Sequence, residues 1–198
     1  MIIPREVQTE WVQAWSRYAI ETAARAVTSG GNTMATTAKK ASDRTLNIGI
    51  KETDLKAVNS ALAHVVSDTF TLFVKTQGYH WNVTGPHFRS LHLALEEQYI
   101  ELHDAADLLA ERMRALGALA PGSFAEFTEL ATIKDHEPTE DAMKMISNLV
   151  EDNETMARLI RPLVEVAEDA SDTATADLFN ARLAAHEKAA WMLRSLLA

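Results

Sequence analysis

The 198 residues suffice for one compact domain with a substantial core and a terminal segment, and 47% hydrophobic with 24% charged residues is ordinary for a globular protein. Only 7 Gly and 5 Pro leave little material for a turn-rich β architecture, while 0 Cys removes disulfides and thiolate metal sites, so any metal must be held by imidazole, carboxylate or water. A net charge of -9 excludes a body that grips nucleic acid over its whole surface, because phosphate binding needs clustered Lys and Arg.

Residues 1–33 open with an amphipathic stretch, Pro4 to Val27, and end in the breaker run Thr28 to Thr33. A second start-like run follows from Met34 to Lys40. The polar segment from Thr33 to Asp54 has no sustained helical period and reads as a flexible arm, so 1–52 is expected to be an extension and arm, and 53–198 the folded domain. No apolar run approaches the roughly 20 residues needed to cross a bilayer, and the amino terminus lacks the regions of a secretion signal, so the expected location is the cytoplasm.

From Thr53 to about Val83, Leu55, Val58, Leu62, Val65, Val66, Thr69, Leu72 and Phe73 form a helical stripe, with Thr53 placed to cap its start. Thr84 to His87 is a turn, with Pro86 suited to the first turn of a second helix. That helix is expected to stop near Leu116, with Gly117 in the position after the cap that glycine favours. Residues 118–138 read as a longer connection holding a short helix from Ser123 to Ala131. A third long helix begins at the cap Thr139 and is expected to kink or break at Pro162. A break at Ala170 to Asp172 leads into a fourth, with Leu178, Leu183, Ala190, Trp191 and Leu193 on its apolar side. The expected class is therefore all-α: a four-helix bundle of ferritin-like connectivity, with its one extended connection between the second and third long helices.

On the second helix His92 and Glu96 are four residues apart, as are Asp107 and Glu111, which sets each pair side by side on one face. An i,i+4 polar pair is more often solvated surface than a metal site, so spacing must decide. His92 and Asp107 are separated by roughly 22 Å of helix axis at about 1.5 Å per residue, beyond the reach of one ion. Two antiparallel copies of this helix about a twofold axis would instead bring the His92/Glu96 end of one beside the Asp107/Glu111 end of the other, forming two equivalent sites.

The pattern of His80 and Trp81, then His92, Glu96, Asp107 and Glu111, resembles the ferroxidase signature of the Dps family, the DNA-binding proteins from starved cells. Gly78 to His92 is similar to that family's passage from first to second helix, Ala110 to Gly117 to the end of its second helix, and His186 to Trp191 to its closing segment. One departure is Glu96, a position often Asp in the family; the longer side chain keeps a hard oxygen ligand. The resemblance covers about residues 46–198. It implies a hollow twelve-subunit shell that oxidises ferrous iron, preferably with hydrogen peroxide, stores the ferric mineral and protects DNA from oxidative damage. It further implies that His80, His92 and Glu96 come from one subunit and Asp107 and Glu111 from its partner, at a site with room for two irons, and that Trp81 accepts an electron or stray radical or is simply a packed aromatic. Classical ferritins instead place Glu-x-x-His motifs inside one bundle, and this sequence has no such motif.

Glu165, Glu168, Asp169 and Asp172 cluster at the corner between the last two helices; they read as a solvated corner or, by the resemblance, as negative pores that attract ferrous ions. His87 and His103 are expected beside the ligand set rather than in it, His64, His136 and His186 as structural or exposed, and Met113, Trp191 and Met192 as core. In the arm, Lys39, Lys40 and Arg44 outnumber Asp43, and repetition over many subunits would make a multivalent DNA contact associated with the nucleoid. An architectural DNA-binding protein without ferroxidase activity is the alternative. The breaker run before Met34, and the absence of a family counterpart for residues 1–33, lead to the expectation that translation starts at Met34 rather than Met1.

Overall fold

Four apolar-striped helices bury their stripes against one another. The computed structural model describes residues 46–135 and 141–198. In chain order its helices are α1 (Glu52–Asn82), α2 (Phe88–Ala115), the short α3 (Phe124–Leu130), α4 (Ala142–Asp169) and α5 (Thr173–Arg194), with no strand among the described residues. α1 packs along α2 and α4 along α5; the two pairs meet mainly through α1 and α4, and α3 lies on α1. Leu62, Val65, Leu72, Leu91, Leu95, Leu109, Met113, Ile146, Leu149, Met156, Ile160 and Phe179 fill the shared interior. Lys75 of α1 and Asp152 of α4 pair at 2.8 Å near the core, so neither charge is left alone away from water.

The apolar stretch of α1 is longer than expected from sequence. By length and composition alone it passes for a bilayer span, with mean hydropathy 1.2, yet half of that window is buried inside the bundle. It is also the helix that carries Asp68 and Lys75 inward.

The helix ends show which local signals decided. Gly117 takes a left-handed φ of 83°. This lets its N–H donate to the Arg114 carbonyl and that of Ala118 to Met113, satisfying carbonyls that α2 would otherwise leave open. Ser123 caps α3 by accepting from the Glu126 N–H and donates its own hydroxyl to that carboxylate. Thr53 is not a cap: α1 starts one residue earlier, behind Lys51, and the Thr53 hydroxyl donates to Asp54. Asp141 caps α4, accepting from the Met143 and Lys144 N–H groups; the expected cap Thr139 lies outside the described residues.

Pro162 does not interrupt α4, which is continuous from Ala142 to Asp169. Pro162 and Arg158, whose carbonyl loses its helical donor, are both exposed, so water can replace the missing bond. Trp191 and Met192 correct the sequence reading, being exposed at 63% and 47%, because Ala190 and Leu193 turn the inward face of α5 to the core. Pro86 sits in the turn before α2, which begins at Phe88 behind His87.

Candidate metal centre

The turn between α1 and α2 brings His80, in the last turn of the first, against His92, in the second turn of the other. Their rings stack with centroids 3.7 Å apart and planes 21° from parallel. The backbone at Gly85, with φ of 101°, makes this reversal possible, and buried Val83 anchors it. His80 Nδ1 donates to the His92 carbonyl at 2.8 Å and His92 Nδ1 donates to the His80 carbonyl at 2.9 Å. The His80 carbonyl has no helical partner because α1 ends two residues later, so the His92 ring supplies the missing donor. A carbonyl carries no proton, so each Nδ1 is the donor, and in the neutral ring each Nε2 keeps its lone pair. This is how a backbone carbonyl orients an imidazole for metal binding.

Aromatic rings wall the pair. The Tyr99 ring meets His80 edge-on at 5.1 Å and Phe88 lies 5.1 Å from His92; Phe73 continues the wall to Tyr99 and to His103. His80 is buried and Trp81, its neighbour, is 68% exposed, which excludes a packed-core role for Trp81 within one chain. Tyr99 was not singled out in the sequence, although its position seven residues after His92 on one helix could have suggested it.

Glu96 stands half-buried one turn beyond His92, and Asp107 and Glu111 are exposed further along α2. None of these three carboxylates makes a hydrogen bond or ion pair among the described residues. One chain therefore assembles the two histidines but does not gather three metal-binding side chains anywhere in its described part. At about 100° per residue, Leu93, Ile100, Asp107, Leu108 and Glu111 share one face of α2, with Glu96 at its edge. Leu93, Ile100 and Leu108 are exposed there, an apolar strip beside free acids. His87 and His103 are exposed, the latter 3.7 Å from Asp104.

The acidic corner divides. Glu165, Glu168 and Asp169 are exposed at the end of α4, but Asp172 is buried. Its carboxylate accepts from Arg112 at 2.5 Å and from the backbone N–H and hydroxyl of Thr175, capping α5 and tying it to α2. Asp172 thus departs from the expected exposed corner, since its oxygens are occupied. His64 binds the Leu130 carbonyl, and His186 is buried; His136, Lys39, Lys40, Arg44 and both candidate start residues lie outside the described residues.

A four-helix bundle with a long connection between its second and third long helices, and inward-held histidines near free carboxylates, is a ferritin-like helical protein, and a ferritin-like domain profile matches residues 59–198. A low temperature-induced protein of Nostoc is 41% identical over 154 residues, 77% of this chain and 86% of that protein. A DNA protection during starvation protein of Brevibacillus brevis is 38% identical over 132 residues, 67% of this chain and 89% of its own length. The crystal structure of a Dps protein from Vibrio cholerae, described as a member of the ferritin-like diiron-carboxylate superfamily, superposes with TM-score 0.75 at 30% identity, covering 85% of this chain and all of that one. The chain belongs to the Dps family of ferritin-like proteins.

Proposed function

We propose that this chain oxidises ferrous iron at sites shared by two copies of itself, with hydrogen peroxide as preferred oxidant, and that twelve copies enclose the ferric product. Iron is the substrate. The observation that carries this reading is the histidine pair, whose two Nε2 lone pairs are presented by reciprocal carbonyl contacts beside Glu96. Asp107 and Glu111 stand unpaired on the same helix but roughly 22 Å along it, so an antiparallel partner would have to supply them. The apolar strip of Leu93, Ile100 and Leu108 gives two α2 helices a reason to pack.

The ligand types suit the reaction. Imidazole and carboxylate hold ferrous iron with positions left open for oxidant, and hard oxygens favour the ferric product. Each peroxide takes one electron from each of two ferrous ions, its O–O bond breaks, and the oxygens leave as hydroxide or water. A site with room for two irons fits that stoichiometry. Exposed Trp81, next in sequence to His80, would accept an electron or stray radical. Glu165, Glu168 and Asp169 are offered as the acidic approach for ferrous ions. DNA contact through Lys39, Lys40 and Arg44 is supported by the arm charge and by the names of relatives such as that of Brevibacillus brevis.

The test is ferric absorbance after anaerobic ferrous loading and then peroxide, in the wild type and in Glu111→Ala. A fast rise in the wild type that the variant largely loses, with helicity and assembly unchanged, is expected. Equally fast rates in both would overturn the ligand set, and no fast rise in either would favour an architectural DNA-binding role.

A further inference from the structure

Away from the histidine pair, the bundle interior holds a second set of metal-type donors with a side-chain cation between them. His186 of α5 is buried and donates its Nδ1 proton to Asn153 Oδ1 of α4 at 2.9 Å; the Asn153 amide in turn donates to the Leu149 carbonyl at 2.8 Å. The imidazole is thereby fixed with its Nε2 lone pair outward, and that nitrogen faces the Arg182 guanidinium at 3.3 Å. The other side of the guanidinium meets the Glu101 carboxylate of α2, to which both terminal nitrogens donate. A small cavity of ≈ 20 Å³ adjoins, lined among others by Gln98, Glu101, Asn153 and His186, enough for about one water.

Arg182 is 5% exposed, and its Nε is buried with no hydrogen-bond partner. The surroundings thus leave one guanidinium donor unmet, an unfavourable state for a buried group. What they supply in full is a carboxylate oxygen and an imidazole lone pair, the donors that divalent first-row metals take.

We infer that Arg182 occupies a latent divalent-cation site in the bundle interior and keeps it closed. The guanidinium charge sits between the Glu101 carboxylate and His186 Nε2, and as long as it stays there a metal ion meets a like charge. Gln98 and water would complete the ligand set of an opened site. Glu101 is half exposed, so an ion has a way in from solvent. His186 is in the form a metal needs: burial, then the Arg182 charge, lower its pKa to about 3, leaving it neutral at pH 7. The consequence is selectivity of place, with incoming metal excluded from this part of the bundle interior. The inference does not depend on the proposed iron oxidation.

The probe is Co²⁺, whose visible bands report coordination, titrated into the full chain and into Arg182→Ala, Arg182→Lys and Arg182→Ala/His186→Ala. Arg182→Ala is expected to bind one Co²⁺ per chain more than the wild type, and adding His186→Ala to weaken that binding by about tenfold or more. Arg182→Lys, which keeps the charge, is expected to bind no more than the wild type. A folded Arg182→Ala without extra Co²⁺, or an Arg182→Lys that gains it, overturns the inference. If Arg182→Ala folds only when Co²⁺ is present, the metal has replaced the missing cation and the inference stands; if it folds in neither condition, the inference fails.

Discussion

His80 and His92 hold each other through backbone carbonyls, each ring donating its Nδ1 proton to the other residue's C=O at 2.8 and 2.9 Å. Truncating either residue removes a prospective ligand and the ring stacked on the other, while the backbone carbonyl that orients the remaining ring is kept. His92→Ala should therefore weaken ferrous binding by at least the roughly 10–100-fold typical of losing an outer partner, because a ligand itself is lost. The lost hydrogen bond should cost about 1 kcal/mol of stability. Calorimetric titration with ferrous iron under anaerobic conditions, beside thermal unfolding, checks both; undiminished binding would count against the pair as ligands.

Sharing of the site between copies predicts complementation. Inactive His92→Ala and inactive Asp107→Ala chains, mixed and allowed to exchange, would give one intact site at each mixed interface, or about a quarter of wild-type sites after random pairing. Peroxide-dependent iron oxidation that stays absent after exchange has been verified by mass would rule sharing out.

Asp68 predicts a particular dependence of stability on pH. Its Oδ1 accepts from the Thr132 and Ile133 N–H groups, each at 2.6 Å, fastening the connection after α3 to α1, while Oδ2 has no partner. Burial raises its pKa to about 6, against the lowering effect of those two N–H groups and of His64. The folded state thus holds this proton more tightly than the unfolded chain, whose Asp pKa is about 3.9. Its contribution to stability is complete below about pH 4 and is lost as the pH rises through about 6. Denaturant titrations from pH 4 to 7 should show that decline in the wild type and a flatter profile in Asp68→Asn. Parallel profiles would contradict the assignment.

Asp172 and its acidic neighbours should separate cleanly under mutation. Asp172→Ala removes the α5 cap and the carboxylate partner of Arg112, leaving it only the Thr175 hydroxyl, and is expected to cost about 2–4 kcal/mol. Joint replacement of Glu165, Glu168 and Asp169 by the corresponding amides should leave the unfolding midpoint nearly unchanged but slow ferrous uptake into the assembled protein. Uptake unaffected by the triple change would remove these residues from the entry route.

The contrast between Asp172 and Glu165 also shows where sequence stops being informative. Apolar periodicity located α1 to within a residue, expected from Thr53 to Val83 and found from Glu52 to Asn82, because burying a stripe is a collective effect that one cap cannot shift far. Gly117 was legible because few residues adopt a left-handed φ at low cost. The cap of α4 was not, since Thr139 and Asp141 are two residues apart and equally able to accept N–H groups. Asp172 reads like any acid until Arg112 of a distant helix claims it. At the metal centre the side chains were visible in sequence, but their orienting partners were not: backbone carbonyls belong to every residue, and only the fold selects those of His80 and His92.

The division of prospective ligands along α2 has a kinetic side. The histidine half is present once a single chain has folded, because its contacts are local to the turn between α1 and α2. The acid half would arrive only by encounter with another chain, a second-order event. Under the proposed function, newly made chains would bind iron weakly and leave it reduced until their concentration favours pairing. Oxidation rate per chain should then climb with dilution reversed, saturating above the dissociation constant of the α2 pair. Catalytic competence in such a protein is governed by mass action, and a cell could set it through the amount of protein made, with no separate effector.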